Sequence, residues 1–203
     1  MFTGIIETKE KVHSLHKTDT GALLALDSTY LAETVVLGSS VAINGVCLTV
    51  EKIDETLITF RLMPETFRKT AFEDLKEGDE VNIETSLRPD EEMAGHFVYG
   101  HVDGVGEVTE MKQDGDAWLW SVKVPEHLEE YLVPQGAIAL HGASLTIARL
   151  VGSTVTISLV KHTLDVTNLG DLPIGAKINV ECDMMLKFAA KSLQKIRNSE
   201  LKK

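Results

Sequence analysis

Two short strings in this sequence hold its most reactive side chains. Gly45-Val46-Cys47-Leu48-Thr49-Val50 carries a thiol, and Gly142-Ala143-Ser144-Leu145-Thr146-Ile147 carries a hydroxyl at the matching place. A partly exposed Cys47 can act as a nucleophile or pass a proton; fully buried, it is only a small core residue. Ser40, Thr49, Thr66, Ser144, Thr146 and Thr163 add hydroxyls near the ends of strand-like runs, which suits a polyhydroxylated ligand. His96 and His101 frame the string His96-Phe97-Val98-Tyr99-Gly100-His101. Histidine can shuttle protons at neutral pH, or serve as a hydrogen-bonded structural residue. On a strand, a separation of five places the two rings on opposite faces, so they do not form a chelating pair and no metal site is expected. Gly100, Gly104 and Gly106 spell neither a dinucleotide fingerprint nor a phosphate loop.

The two strings belong to a longer repeat. At an offset of 97, Thr59 meets Thr156, Leu62 meets Leu159, Thr66 meets Thr163, Asn82 meets Asn179 and Glu84 meets Glu181. Between Val41 and Ser86 there are 13 identities in 46 positions, without a gap. Near the start the offset is 96: Gly4 meets Gly100, Ile6 meets Val102 and Val12 meets Val108. One insertion between residues 12 and 41 reconciles the two. The period is far longer than the roughly 20–50 residues of a solenoid repeat, so it is domain-sized. Two homologous units follow, joined by the polar stretch Arg88-Pro89-Asp90-Glu91-Glu92. Two copies of one fold can build two like pockets. Facing pockets would hold two copies of one molecule together and make their encounter effectively unimolecular.

The elements that carry these residues read as β. Ser40–Val50 is rich in β-branched residues and is broken by the turn pair Asn44-Gly45. Leu57–Leu62, Glu80–Glu84, Thr154–Val160 and Lys177–Glu181 are further strand runs. Short helices are predicted at Pro64–Thr70, Glu126–Leu132 and His162–Asn168. Many short strands in about 90 residues indicate a small closed barrel or Greek-key sandwich in each half. After Asp183, Met185, Phe188, Ala189, Leu193 and Ile196 recur at helical spacing, predicting an amphipathic helix that docks on the barrels or on another subunit.

Composition narrows the partners. The 203 residues carry a formal charge of −11, which disfavours nucleic acid and an anionic membrane surface. Aromatic residues at 5% give little support to a base-stacking platform. Cys47 and Cys182 are too few for a disulfide scaffold. The start, Met1-Phe2-Thr3-Gly4-Ile5-Ile6-Glu7, lacks a signal-peptide pattern, and no apolar run nears the roughly 20 residues of a membrane helix. A reduced, soluble, cytoplasmic protein is expected.

Taken in order, Met1–Glu7, Asn44–Val50, Met63-Pro64-Glu65-Thr66, Gly95–Gly104, Gly142–Thr146 and Asn179-Val180-Glu181-Cys182-Asp183 resemble the alpha chain of the riboflavin synthases, across essentially the whole sequence. The resemblance implies an all-β chain of two six-stranded antiparallel Greek-key barrels plus a C-terminal helix. It implies a lumazine-binding barrel over 1–96, a second over 97–186, and an oligomerisation helix and tail over 187–203, assembled as a homotrimer. The implied reaction is a dismutation of two 6,7-dimethyl-8-ribityllumazines into riboflavin and 5-amino-6-(D-ribitylamino)uracil, with no cofactor. The active site would form between the N-terminal barrel of one subunit and the C-terminal barrel of a neighbour. By motif, the N-terminal pocket would use Gly4, Ile5, Ile6, Cys47, Leu48, Thr49, Leu62, Met63 and Thr66. The C-terminal pocket would use Gly100, His101, Val102, Ser144, Leu145, Thr146, Leu159, Val160, His162 and Thr163. Phe2, Ser40, Cys47, His96, His101, Ser144 and Asp183 resemble positions tied to activity. Cys47 or Ser40 would assist addition or proton transfer, and His101 would shuttle protons.

Four positions depart from the family pattern: His141 for an expected Asp, Gln135 for Lys, Lys161 for Pro and Ala94 for Gly. They fall in or near the C-terminal barrel and bear on its ring and ribityl contacts. The alternative is a non-catalytic lumazine- or flavin-binding relative of the same fold. The resemblance also raises lumazine synthase as a partner.

Overall fold

The computed structural model describes residues 1–18 and 20–200. The first half runs β1 (Thr8–Thr18), β2 (Gly21–Asp27), α1 (Thr29–Thr34), β3 (Ser40–Ile43), β4 (Val46–Asp54), β5 (Leu57–Leu62), α2 (Pro64–Lys69) and β6 (Glu80–Thr85). The second runs β7 (Gly104–Asp114), β8 (Ala117–Lys123), β9 (Ala137–Leu140), β10 (Ala143–Val151), β11 (Thr154–Leu159), α3 (Lys161–Val166) and β12 (Lys177–Cys182), followed by α4 (Met184–Glu200). Each half closes into an antiparallel barrel with one strand order, β1-β2-β5-β4-β3-β6 and its counterpart β7-β8-β11-β10-β9-β12. Alternation drives closure: Val46, Leu48 and Val50 of β4 turn inward, while Thr49 and Glu51 face out. The register breaks recur too, at Val12/Ser14 and Val108/Glu110, and at Val50/Lys52 and Ile147/Arg149. Closure leaves no free sheet edge.

Strand registers locate the predicted insertion. Asp27 pairs with Leu57 and Lys123 with Thr154, so the offset is still 96 at the end of β2. By Gly38 and Gln135, both in left-handed turns whose amides bond Val50 and Ile147, it is 97. The extra residue therefore lies in the second half, between Lys123 and Gln135, in the segment that corresponds to the one holding α1 in the first half. In the first half Ser28 caps a six-residue α-helix by accepting from Leu31 N at 3.0 Å. The other half forms a 3-10 stretch over Glu126–Tyr131 after Pro125, where an ordinary helix was predicted. α1 is short and ends in threonines, and no helical periodicity announces it. α4 begins at Met184, within the span allotted to the second barrel, because Asp183 caps it: its Oδ1 accepts from Met185 N at 2.9 Å. Lys187 then ties the helix to Asp103 at 2.7 Å. Residues 201–203 of the expected tail lie outside the described residues. Among the described residues no helix is long and apolar enough to cross a membrane.

The barrels meet on a local two-fold axis. The turns Asn44-Gly45 and His141-Gly142 all have positive φ and lie back to back. A Cβ on Gly45 would sit 2.6 Å from Gly142 N, and one on Gly142 would sit 2.8 Å from Gly45 N. Around them runs a reciprocal set of buried hydrogen bonds. Asn82 Nδ2 donates to His141 O at 3.0 Å, and Asn179 Nδ2 donates to Asn44 O at 2.9 Å. Asn82 N donates to Asn44 Oδ1 at 2.8 Å, and Asn179 N donates to His141 Nδ1 at 3.1 Å. His141 therefore does for the second barrel what Asn44 does for the first. It belongs to the contact between barrels, not to the ring and ribityl contacts of the second pocket.

Burial pushes the His141 pKa down to about 3. The unfolded chain binds this proton below about 6.5 and the folded chain does not. Stability from this group is thus full above that pH and is lost as pH falls towards 3, by about 1 kcal/mol per pH unit. The buried Glu84 carboxyl, pushed up to about 7, acts in the opposite sense: below 7 the folded chain binds its proton more readily than the unfolded one. Comparison with His141→Asn, which keeps an acceptor for Asn179 N, isolates the histidine. Urea unfolding should show the unaltered chain losing about 2 kcal/mol more than the variant between pH 7.5 and pH 5. Parallel pH profiles would contradict this account.

Candidate functional site

The residues singled out from the sequence gather in two matching grooves, one per barrel. Cys47 is the second residue of β4 and is half-buried, with Thr49 exposed beside it; Met63 is exposed and Thr66 half-buried at the start of α2. These side chains, with Glu51 and Arg61, line a cleft of about 440 Å³. Pro64 opens α2, where its missing N–H costs nothing. On the second barrel, Ser144, Thr146, Val160 and Thr163 match in place and in burial. Lys161 stands where Pro64 does and is held to Asp165 at 2.6 Å across one helical turn. His162 and Leu145 flank this groove, His162 exposed and Leu145 half-buried. Gln135 is exposed in the turn before β9, and its N–H donates to Ile147 O on the strand that carries Ser144. Ser40 is half-buried opposite Thr49.

The chain exchanges the walls of these grooves. Ser144 N donates to Gly4 O at 2.7 Å, and Cys47 N donates to Gly100 O at 2.9 Å. Both glycines have positive φ, and a Cβ on either would lie 2.6 Å from the Cβ of Ser144 or Cys47 respectively. Ile6 packs on the core of the second barrel, and Val102 on that of the first. The sequence placed Gly4, Ile5 and Ile6 with Cys47, and Gly100, His101 and Val102 with Ser144. The structure reverses both groupings, because residues 1–6 and 95–102 cross the axis before entering their own barrels. The crossing is fixed by an antiparallel pair, Phe2 N to Val98 O at 2.7 Å and Val98 N to Phe2 O at 3.1 Å.

Three expected contacts are not available to a ligand. Phe2 is wholly buried with Ala42, Val98 and Ala139, between the barrels. Leu62 and Leu159 are buried in the barrel cores, whereas Leu48, though largely buried, still lines the first cleft. These residues shape the grooves through backbone and packing. The strand argument for the two histidines also fails: apart from the bridge at Val98, the segment 95–102 is not strand. The rings part because each attends a different barrel.

Titratable groups distinguish the grooves. His96 Nδ1 is 2.7 Å from Ser144 Oγ, and its Nε2 is buried without a partner among the described residues. Burial lowers the His96 pKa, partly offset by the Asp183 charge. The ring is therefore neutral at pH 7, with one nitrogen on a hydroxyl and the other without a protein partner among the described residues. Serine, histidine and aspartate thus share one groove. At the other, exposed His101 follows Gly100 and packs against Tyr99 at 6.1 Å between ring centres. Arg61 and Glu51 form a 2.6 Å ion pair at this cleft, where the second barrel has Ser158 and Ala148. A larger cleft of about 710 Å³, lined by Asn44, His141, Asn168, Asp74 and Asp171, holds none of the residues expected to bind or react with a ligand. The acceptors Glu84 and Glu181, seen in the sequence only as repeat matches, hold the crossing segments in place.

Comparisons with known proteins agree with this doubled architecture. The lumazine binding domain model matches twice, over residues 3–86 and 99–183. The riboflavin synthase of Bacillus subtilis (strain 168) is 39% identical over 200 residues, covering 98% of this chain and 93% of that protein. The riboflavin synthase of Photobacterium leiognathi is 40% identical over 196 residues, covering 96% and 89%. The crystal structure of LumP complexed with riboflavin superposes with a TM-score of 0.82 at 27% identity, covering 90% of this chain and 99% of that one. LumP complexed with 6,7-dimethyl-8-(1'-D-ribityl) lumazine gives a TM-score of 0.81 at 26% identity, with the same coverage. Two matching grooves, a twice-matched domain and full-length likeness to these transferases lead to one conclusion: the chain belongs to the riboflavin synthase family.

Proposed function

We propose that this chain converts two molecules of 6,7-dimethyl-8-ribityllumazine into riboflavin and 5-amino-6-(D-ribitylamino)uracil. One observation carries the reading: two grooves of one design, each with a hydroxyl or thiol, a threonine pair and a histidine nearby, on one chain. The reaction needs a carbanion at the 7-methyl group of one lumazine and an electrophilic carbon on the other. The ring itself delocalises the charge, so the protein's work is to orient two rings and move protons. Ser144, His96 and Asp183 provide a proton route at the second groove. Cys47, with Ser40 on the paired strand and His101 next to the Gly100 that Cys47 N bonds, provides a nucleophile or proton carrier at the first. The ribityl chains meet the exposed Thr49 and Thr146 and the backbone of Gly4 and Gly100. The working division is a lumazine-binding unit over 1–96, a second over 97–186 and an oligomerising tail over 187–203.

A homotrimer brings the Cys47 groove of one subunit to the Ser144 groove of the next. Exposed Met185, Phe188 and Leu193 on α4 supply an apolar face for such assembly. Truncation after Asp183 should yield monomers with little activity, read by light scattering and turnover; an active trimer would refute the role given to α4. Cytoplasmic location and association with a lumazine synthase are parts of the same reading. Likeness to LumP favours one competing reading, a binder without turnover. Mixing the protein with 6,7-dimethyl-8-ribityllumazine and following riboflavin decides between them. The expected outcome is two lumazines consumed per riboflavin; tight binding without turnover would establish the binder instead.

A further inference from the structure

The two most buried carboxylates on the inner strands bond no cation directly, although the Lys187 charge acts on Glu181. Glu84 on β6 and Glu181 on β12 are 3% and 4% exposed, and neither forms an ion pair among the described residues. Burying a carboxylate is costly unless donors surround it. Here almost all the donors are loop amides. Glu84 Oε1 accepts from Thr3 N at 2.6 Å and from Thr3 Oγ1 at 2.9 Å, and Oε2 accepts from Gly4 N at 3.0 Å. Glu181 Oε1 accepts from Tyr99 N at 2.7 Å, and Oε2 accepts from His101 N at 2.9 Å. An apolar residue would fill either place at lower desolvation cost, so the carboxyl group has work beyond filling the barrel wall.

The loops so held do not serve the barrels that hold them. Glu84 belongs to the first barrel, yet Gly4 meets Ser144 of the second, and Thr3 O accepts from His96 N at 3.0 Å. Glu181 belongs to the second barrel, yet Gly100 meets Cys47 of the first. We propose that Glu84 and Glu181 are positioning residues that each shape the ligand groove of the opposite barrel, Glu84 acting on the Ser144–His96 groove and Glu181 on the Cys47 groove. Glutamine keeps the size but has one acceptor oxygen, and its amide group opposes an N–H. One loop amide then loses its partner, and the loop, with its glycine, moves off the groove. The inference rests on the reading of these grooves as lumazine pockets.

Cys47 is a built-in reporter of the first groove, since the other thiol, Cys182, is 1% exposed. The assembled protein is treated with iodoacetamide at increasing riboflavin, and modification of Cys47 is followed by mass spectrometry. In the unaltered protein riboflavin should protect Cys47. Glu181→Gln should raise the riboflavin needed for half-protection by about tenfold, the scale of one lost hydrogen bond. Glu84→Gln should leave it within about twofold of that of the unaltered protein, while lowering kcat. A purely structural role would give the reverse for Glu181, loosening only the barrel that contains it. Glu181→Asp, which keeps the charge but is one methylene shorter, gives the same readout if the glutamine variant does not fold. Equal effects of the two glutamine variants, or none from Glu181→Gln, would overturn the proposal. Absence of protection in the unaltered protein would instead overturn the pocket reading, and this inference with it.

Discussion

Replacing His96 by glutamine is expected to lower kcat by about 10²–10⁴-fold with riboflavin binding largely retained. The argument starts from its two nitrogens. Nδ1 is committed to Ser144 Oγ at 2.7 Å, and the buried Nε2 has no protein partner among the described residues. A buried polar atom of this kind is costly unless a ligand or water completes it. Because burial lowers the His96 pKa, the neutral ring is the resting form and can both take and give a proton. The sign follows: activity that needs the neutral ring is full above the ordinary histidine range and falls as acid protonates it. Steady-state turnover from pH 5 to 8 should show this acid limb in the unaltered enzyme and lose it in the variant. An unchanged kcat for His96→Gln would remove His96 from the chemistry. Ser144→Ala tests the same pair from the other side, since it frees Nδ1 without removing the ring.

The largest effect on stability is expected at Gly45. Gly45→Ala adds a methyl group 2.6 Å from Gly142 N, backbone that cannot swing aside. It also places an L-residue at a φ of 75°, which alone costs about 1 kcal/mol. Together these should lower unfolding stability by roughly 3 kcal/mol or more and push the barrels apart. Gly38→Ala separates the two causes. Gly38 has a φ of 84°, with nothing within 4 Å of an added Cβ. It should cost only about 1 kcal/mol. Urea midpoints of the two variants, compared with the unaltered chain, measure the close approach directly. Equal losses would mean that backbone conformation, not the contact of the turns, explains both glycines.

What could be read from the sequence was what recurs. The offset of 97 located the two units, the Asn44-Gly45 turn, and the pairs Cys47–Ser144 and Thr66–Thr163, because homologous strands place homologous residues alike. The crossing of residues 1–6 and 95–102 could not be read this way. A repeat says which residues correspond, but not whether a segment packs on its own copy or on the other; both arrangements have the same periodicity. The burial of Phe2 could not be read either, since its neighbours Val98 and Ala139 are distant in sequence. His141 looked like a change beside a pocket because its chain neighbours are pocket residues, yet its turn points to the axis. Local patterns define elements, and contacts across the axis decide what those elements serve.

The crossing also sets an order of events during synthesis. Gly4 emerges from the ribosome first, but its partner Ser144 follows about 140 residues later. At about 5–20 residues per second, the amino-terminal arm waits roughly 10–30 s before its docking surface exists. During that interval Phe2, wholly buried in the finished protein, has no cavity to enter. The first barrel can close its strands meanwhile, but its own groove still lacks Gly100. The first groove gains Gly100 about midway through synthesis but the loop's anchor Glu181 only near the end, and the second groove waits for its own barrel, so the nascent arm is the segment most in need of a chaperone.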